Sequence, residues 1–275
     1  MRVDHDPRVT RLLVWFICLM TLLGCARPWH RKTFAPIDDT LVMDQLVIHS
    51  DARPPPNHRL LQDLVRQRDD LAQTLALPTS DEPIHVFLFE SPEKFDQFVA
   101  RTFPDFPNRR ALFVETDTQL AVYAQWGDRV AEDLRHEVAH GYLHAVVPRI
   151  PLWIDEGLAE YFEVPRGHNG LNKPHVTELA SQMADNHWKP DLRRLEQFTN
   201  INQMSQLEYA EAWAWVHFML QTDPRRRELL QNYLHRLYKE GTVEPLSLTI
   251  RRLHGQPEQL LIEHILALDD APKSP

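Results

Sequence analysis

Cysteine is nearly missing from this 275-residue chain, which has only Cys18 and Cys25. No thiol remains beyond Cys25, so no disulfide can staple the rest of the chain. Glycine is scarce, at eight residues, and there is neither a low-complexity tract nor an internal repeat. Disordered and fibrous classes are thereby excluded. Positive charge is the minority sign: 30 Lys and Arg against 39 Asp and Glu leave a net charge of -9 and no basic face for nucleic acid. The N-terminal apolar run, Leu12 to Leu23, has the length of a signal-peptide core and is too short to span a bilayer comfortably. What is present, 43% hydrophobic and 25% charged residues, suits one globular domain or one domain split into two lobes.

Arg2, Arg8 and Arg11 precede the apolar run, which ends in Leu22-Leu23-Gly24-Cys25. That ending resembles the bacterial lipobox, whose Cys becomes the first residue of the mature chain and carries lipid. The resemblance implies a signal peptide over 1–24, a lipid anchor at Cys25 that holds the chain to a membrane, and a Pro-containing tether over 25–40. The implied location is the bacterial cell envelope, facing the periplasm, with the outer membrane preferred to the inner. The alternatives are an uncleaved signal anchor or an ordinary signal with an incidental Cys.

Leu41 to His49 reads as one β-run, and Arg53-Pro-Pro-Pro56 breaks it. His58 to Leu77 has apolar residues near helical spacing and stops at Pro78. Ile84 to Phe89 is a second strand, and Ser91-Pro92 starts a helix with Ser as N-cap. Arg110 to Glu115 and Gln119 to Trp126 are two more β-runs joined by a hairpin turn at 116–118. Asp128 is the expected N-cap of the next helix, and Pro151 precedes another, near 154–163. After Pro165 the pattern is helical throughout, with loops near 186–190 and 200–203. The expected fold is α+β: a small mixed sheet with helices over 41–165 and a mainly helical lobe over 166–275. A substrate cleft is expected between the lobes.

At the junction lies the run His136-Glu137-Val-Ala-His140, the HExxH pattern. Two imidazoles one helical turn apart can converge on one Zn²⁺, the single cofactor expected here. Glu137 projects past the metal, where it can take a proton from water as a general base. Downstream, Trp153-Ile-Asp-Glu156-Gly-Leu-Ala-Glu160-Tyr-Phe162 places Glu156, Glu160 and Glu163 on one face of the following helix. Asp155 points elsewhere and is expected to cap that helix. Carboxylates on an otherwise apolar helix are costly without a cation or donor to meet them.

Together these segments resemble the gluzincin metallopeptidases of the thermolysin and aminopeptidase N type, which belong to peptidase clan MA. The resemblance covers about 120–163 and implies a thermolysin-like core. It makes Glu156 the third zinc ligand and Glu160 the carboxylate that orients a motif histidine. It also implies a Tyr or His from a later helix that steadies the oxyanion; Tyr209 is the first candidate and His217 the second. His144, two turns along from His136, is expected to complement the helix C-terminus. The Gly-rich exopeptidase motif of aminopeptidases is absent from Gln119–Trp126. That segment is either an edge strand along which a peptide substrate docks or a plain core strand. The expected function is zinc-dependent peptide-bond hydrolysis, by an endopeptidase rather than an aminopeptidase. The alternative is a non-catalytic envelope protein that keeps the metal site. A fourth protein ligand, or the lack of a groove beside Glu137, would favour that alternative.

Overall fold

The chain bends back on itself where its first apolar run looks continuous. In the computed structural model, which describes residues 39–51, 54–106, 109–147 and 149–271, strand β1 (Asp39–Met43) and strand β2 (Leu46–Ser50) pair antiparallel. Met43 faces Leu46 across a two-residue turn, in which Asp44 adopts the left-handed conformation with φ 55. The single β-run expected over 41–49 is thus a hairpin. Aspartate tolerates this backbone region because its short side chain can bond locally. The signal peptide, Cys25 and almost all of the tether lie outside the described residues.

Helix α1 (Arg59–Leu75) follows, then β3 (Ile84–Phe89), α2 (Pro92–Thr102), β4 (Ala111–Thr116) and β5 (Gln119–Gln125). Ser91 caps α2 as expected, its side chain accepting from the Lys94 amide. The sheet order is β1-β2-β3-β5-β4, with β2, β3 and β5 parallel and a hairpin at each edge. Gln119–Trp126 therefore supplies an interior strand, and the edge is Ala111–Thr116.

The helical part comprises α3 (Val130–His144), α4 (Leu152–Phe162), α5 (Lys173–Ala184), the short α6 (Leu192–Leu195), α7 (Gln206–Gln221), α8 (Pro224–Glu240), α9 (Leu246–Leu253) and α10 (Pro257–Asp269). Arg129 rather than Asp128 occupies the N-cap of α3, without a side-chain cap bond. The fold is mixed α+β, as expected, but the boundary at 165/166 does not divide its core. Residues 35–275 form one compact unit. One apolar cluster runs from Leu46 and Ile84 in the sheet to Leu261 and Ile265 in α10.

The reason lies in α7, which is buried on every side from Tyr209 to Leu220 and so cannot be a surface helix. Gly157 in α4 lies against it: a Cβ there would come within 2.6 Å of the Ala212 carbonyl oxygen. Glycine alone permits that approach, which seats α4 against the middle of α7. A second glycine, Gly141, lets α3 settle on Ile84 of the sheet. Buried Gln67 of α1 then ties α3 to α4, donating to the Arg135 and Phe162 carbonyls at 2.8 and 3.2 Å.

Candidate metal centre and cleft

The two histidines of α3 turn their rings toward α4. His136 Nε2 and His140 Nε2 are 3.2 Å apart, and Glu156 Oε2 lies 3.5 Å from the first and 3.7 Å from the second. Four ligands placed tetrahedrally at about 2.0–2.1 Å from a metal are spaced roughly 3.3–3.4 Å apart, so this triangle suits a small tetrahedral cation. Glu156 Oε2 is buried and has no hydrogen-bond partner. An orphaned buried carboxylate oxygen is costly unless something positive meets it. His136, His140 and Glu156 thus form a group able to hold a metal ion, and among the described residues no fourth His, Cys, Asp or Glu joins it.

Each imidazole is held from behind. His136 Nδ1 donates to Glu163 Oε2 at 3.0 Å, and His140 Nδ1 donates to Asp155 Oδ1 at 2.8 Å. With the proton on Nδ1, each ring offers the lone pair of Nε2 to the centre of the triangle. This corrects three expectations. The carboxylate on His136 belongs to Glu163, while Glu160 Oε2 accepts from His175 Nε2 at 2.7 Å. Asp155 does not cap its helix: its second oxygen accepts from His144 Nε2 at 3.0 Å. His144, whose Nδ1 donates to Glu115 at 2.7 Å, serves this chain of carboxylates rather than the helix C-terminus. Two further groups with metal-ligand spacing, His140/His144/Asp155 and His136/Glu160/Glu163, are these hydrogen-bonded supports of the same two rings.

The electrostatics follow from packing so many acids around the rings. Burial would lower the His140 pKa, but Asp155 and Glu156 overcome it and push it up to about 10. Burial would raise the Glu156 pKa, yet the two imidazoles hold it at about 2. Without a cation, the rings themselves must carry the positive charge that the carboxylates demand. Glu137 is also buried, and that burial raises its pKa despite both histidines.

A cleft of about 1350 Å³ opens on the His136 side of the centre, walled by His136, Glu137, Glu160, Glu163, His175 and Tyr209 among others. Ala111, the first residue of the edge strand, reaches the same cleft. Phe113, next along that strand's inner face, stacks on the His140 ring at 5.9 Å between centroids. Tyr209 enters from the first turn of α7, which starts with a capping box between Ser205 and Glu208. Burial and the nearby Glu156 raise the Tyr209 pKa to about 12, so the phenol keeps its proton. His217, one of the two oxyanion candidates, lies elsewhere: its Nδ1 is 2.9 Å from His264 Nε2, and it does not line the cleft.

Sequence reasoning missed Arg109. It also lines the cleft, and its Nη2 donates to the Tyr209 hydroxyl at 2.6 Å. It lies 27 positions before His136, outside any pattern, so only the fold brings it to the centre. His175 was missed for the same reason.

Residues 130–243 match a family model described as a protein of unknown function (DUF1570). The matched span starts with the first turn of α3 and ends just past α8. It contains every residue of the metal group and its supports except Glu115, and also Tyr209, but neither Arg109 nor the sheet. No curated protein matches the chain at a significant level.

Proposed function

We propose that this protein is a zinc-dependent peptidase of the gluzincin kind, cleaving peptide bonds within a chain held in the cleft. One observation carries the reading: His136 Nε2, His140 Nε2 and the partnerless Glu156 Oε2 converge beside an open cleft that His136 and Glu137 line. A set of two imidazoles and one carboxylate is the donor set of hydrolytic zinc sites, with one position left for water. When bound, zinc supplies a Lewis acid that makes water acidic near neutral pH and polarises a carbonyl group.

The chain's own residues do the rest. Glu137, whose burial raises its proton affinity, takes a proton from the attacking water and returns it to the leaving amine. Tyr209, kept protonated, donates to the oxygen on which negative charge develops. Glu163 and Asp155 fix the tautomer and direction of the two imidazoles. The edge strand β4, which ends in the cleft at Ala111, offers backbone groups for an extended peptide to pair with. The absence of a fourth ligand among the described residues and the presence of a cleft beside Glu137 both weigh against the non-catalytic alternative.

The test uses zinc-loaded protein and a library of internally quenched peptides, with Glu137→Gln beside the wild type. The reading expects cleavage by the wild type and, in the variant, retained zinc with activity lowered by at least about 100-fold. Equal cleavage by both, or none from the zinc-loaded wild type, would sink it. Anchoring in the envelope through Cys25 belongs to the same proposal; labelling by fatty acid that persists in Cys25→Ser would rule that part out.

A further inference from the structure

The arginines along the cleft differ in one respect. Arg110 is paired with Asp133 at 2.7 Å, Arg129 with Glu132, and Arg135 with Asp63 at 3.4 Å. Arg109 has no acidic partner within salt-bridge distance among the described residues, although it is more than half-buried beside Glu137 and Glu156. Among the described residues, its one hydrogen bond is the 2.6 Å contact to the Tyr209 hydroxyl. A partly buried guanidinium spending its one short bond on a phenol is an uncommon choice, since carboxylates normally satisfy arginine.

The geometry has a chemical consequence. An arginine has no lone pair to offer, so in this contact the phenol oxygen can only accept. The hydroxyl proton of Tyr209 must then point away from Arg109. A cation bonded to the phenol oxygen also favours charge on that oxygen, which makes the O–H a stronger donor. We infer that Arg109 is a positioning residue for Tyr209, aiming its hydroxyl proton into the cleft toward the oxygen of the bond being cleaved. The inference rests on the proposed peptidase reading and adds a residue outside the segment that the family model matches.

Two measurements test it. The first needs neither metal nor activity. With tyrosine labelled with ¹³C at Cζ, the Tyr209 resonance is assigned by its loss in Tyr209→Phe. It should shift in Arg109→Gln while the other tyrosine signals stay in place. An unmoved Tyr209 signal overturns the contact itself, whether or not the protein proves to be a peptidase.

The second is a kinetic cycle on zinc-loaded protein whose metal content has been checked. Tyr209→Phe should lower kcat about 100-fold. Arg109→Gln should lower kcat on the order of tenfold with little change in KM, as expected for the loss of one charge-assisted bond. Arg109→Lys should recover part of the loss, and the double variant should be no slower than Tyr209→Phe alone. Losses that multiply in the double variant would show that Arg109 acts independently of Tyr209 and overturn the inference. A change confined to KM would do the same, assigning Arg109 to substrate binding. A zinc-loaded wild type without activity would instead count against the peptidase reading, leaving the resonance experiment to judge the contact.

Discussion

Replacing Glu163 by Gln should weaken zinc binding more than the same change at Glu160, although both acids line the cleft at the end of α4. Glu163 accepts two bonds, from His136 Nδ1 at 3.0 Å through Oε2 and from Asn172 Nδ2 at 3.0 Å through Oε1. A glutamine of the same shape has one acceptor oxygen and must turn its NH₂ toward one of these donors. Either His136 loses its support or Asn172 faces another donor, and in both cases the negative charge behind the ring is gone. Loss of such a support costs roughly 10–100-fold in metal affinity, or about 1.4–2.7 kcal/mol. Glu160 makes its close bond to His175 and is hydrogen-bonded to His136 only through its neighbour Glu163, so Glu160→Gln keeps the direct Glu163–His136 bond and should cost less. Competition with a chromophoric zinc chelator at pH 7.5 measures both variants against the wild type. A Glu160→Gln loss equal to or larger than that of Glu163→Gln would refute the assignment, and with it the hydrogen-bond geometry that sets the His136 tautomer.

Two further outcomes follow from the packing. Gly157→Ala drives a methyl group against the Ala212 carbonyl, which backbone cannot yield cheaply, so chemical denaturation should show a loss of about 3 kcal/mol. Buried His217, packed among Trp213, Tyr161 and His264, has its pKa lowered to about 3 by burial and then by His264. The unfolded chain then binds the extra proton, so this contribution is complete above about pH 6.5 and is lost as the pH falls toward the folded value. Between pH 7 and pH 5 the wild type should lose about 2 kcal/mol more stability than His217→Gln, and parallel urea curves for the two proteins would contradict this.

The metal group was legible in the sequence because its ligands sit on two helices at helical spacing. HExxH fixes the His136/His140 pair, and Glu156-Gly157 places a carboxylate beside the glycine that lets α4 approach α7. The supports were less legible. Glu160 in α4 and its C-cap Glu163 share one face, and the packing of α4 against α3, bridged by Gln67, decides which of them meets His136. Asp155 read as a cap because a cap is the local use of an acid in a first turn; its real partners, His140 and His144, come from another helix. Strand Ile84–Phe89 matched its apolar run, bounded by Pro83 and Ser91, whereas the turn at Asp44-Gln45 carries no Gly or Pro and hid inside an apolar run. Arg109 depends wholly on the path of the chain, which no periodicity records.

The metal triangle is tested most directly by a crystal structure of zinc-soaked protein with anomalous data on both sides of the zinc edge. One zinc per chain is expected, bound by His136 Nε2, His140 Nε2 and Glu156, with a fourth position facing the cleft. A zinc ion between His140, His144 and Asp155, or no zinc at the triangle, would contradict it.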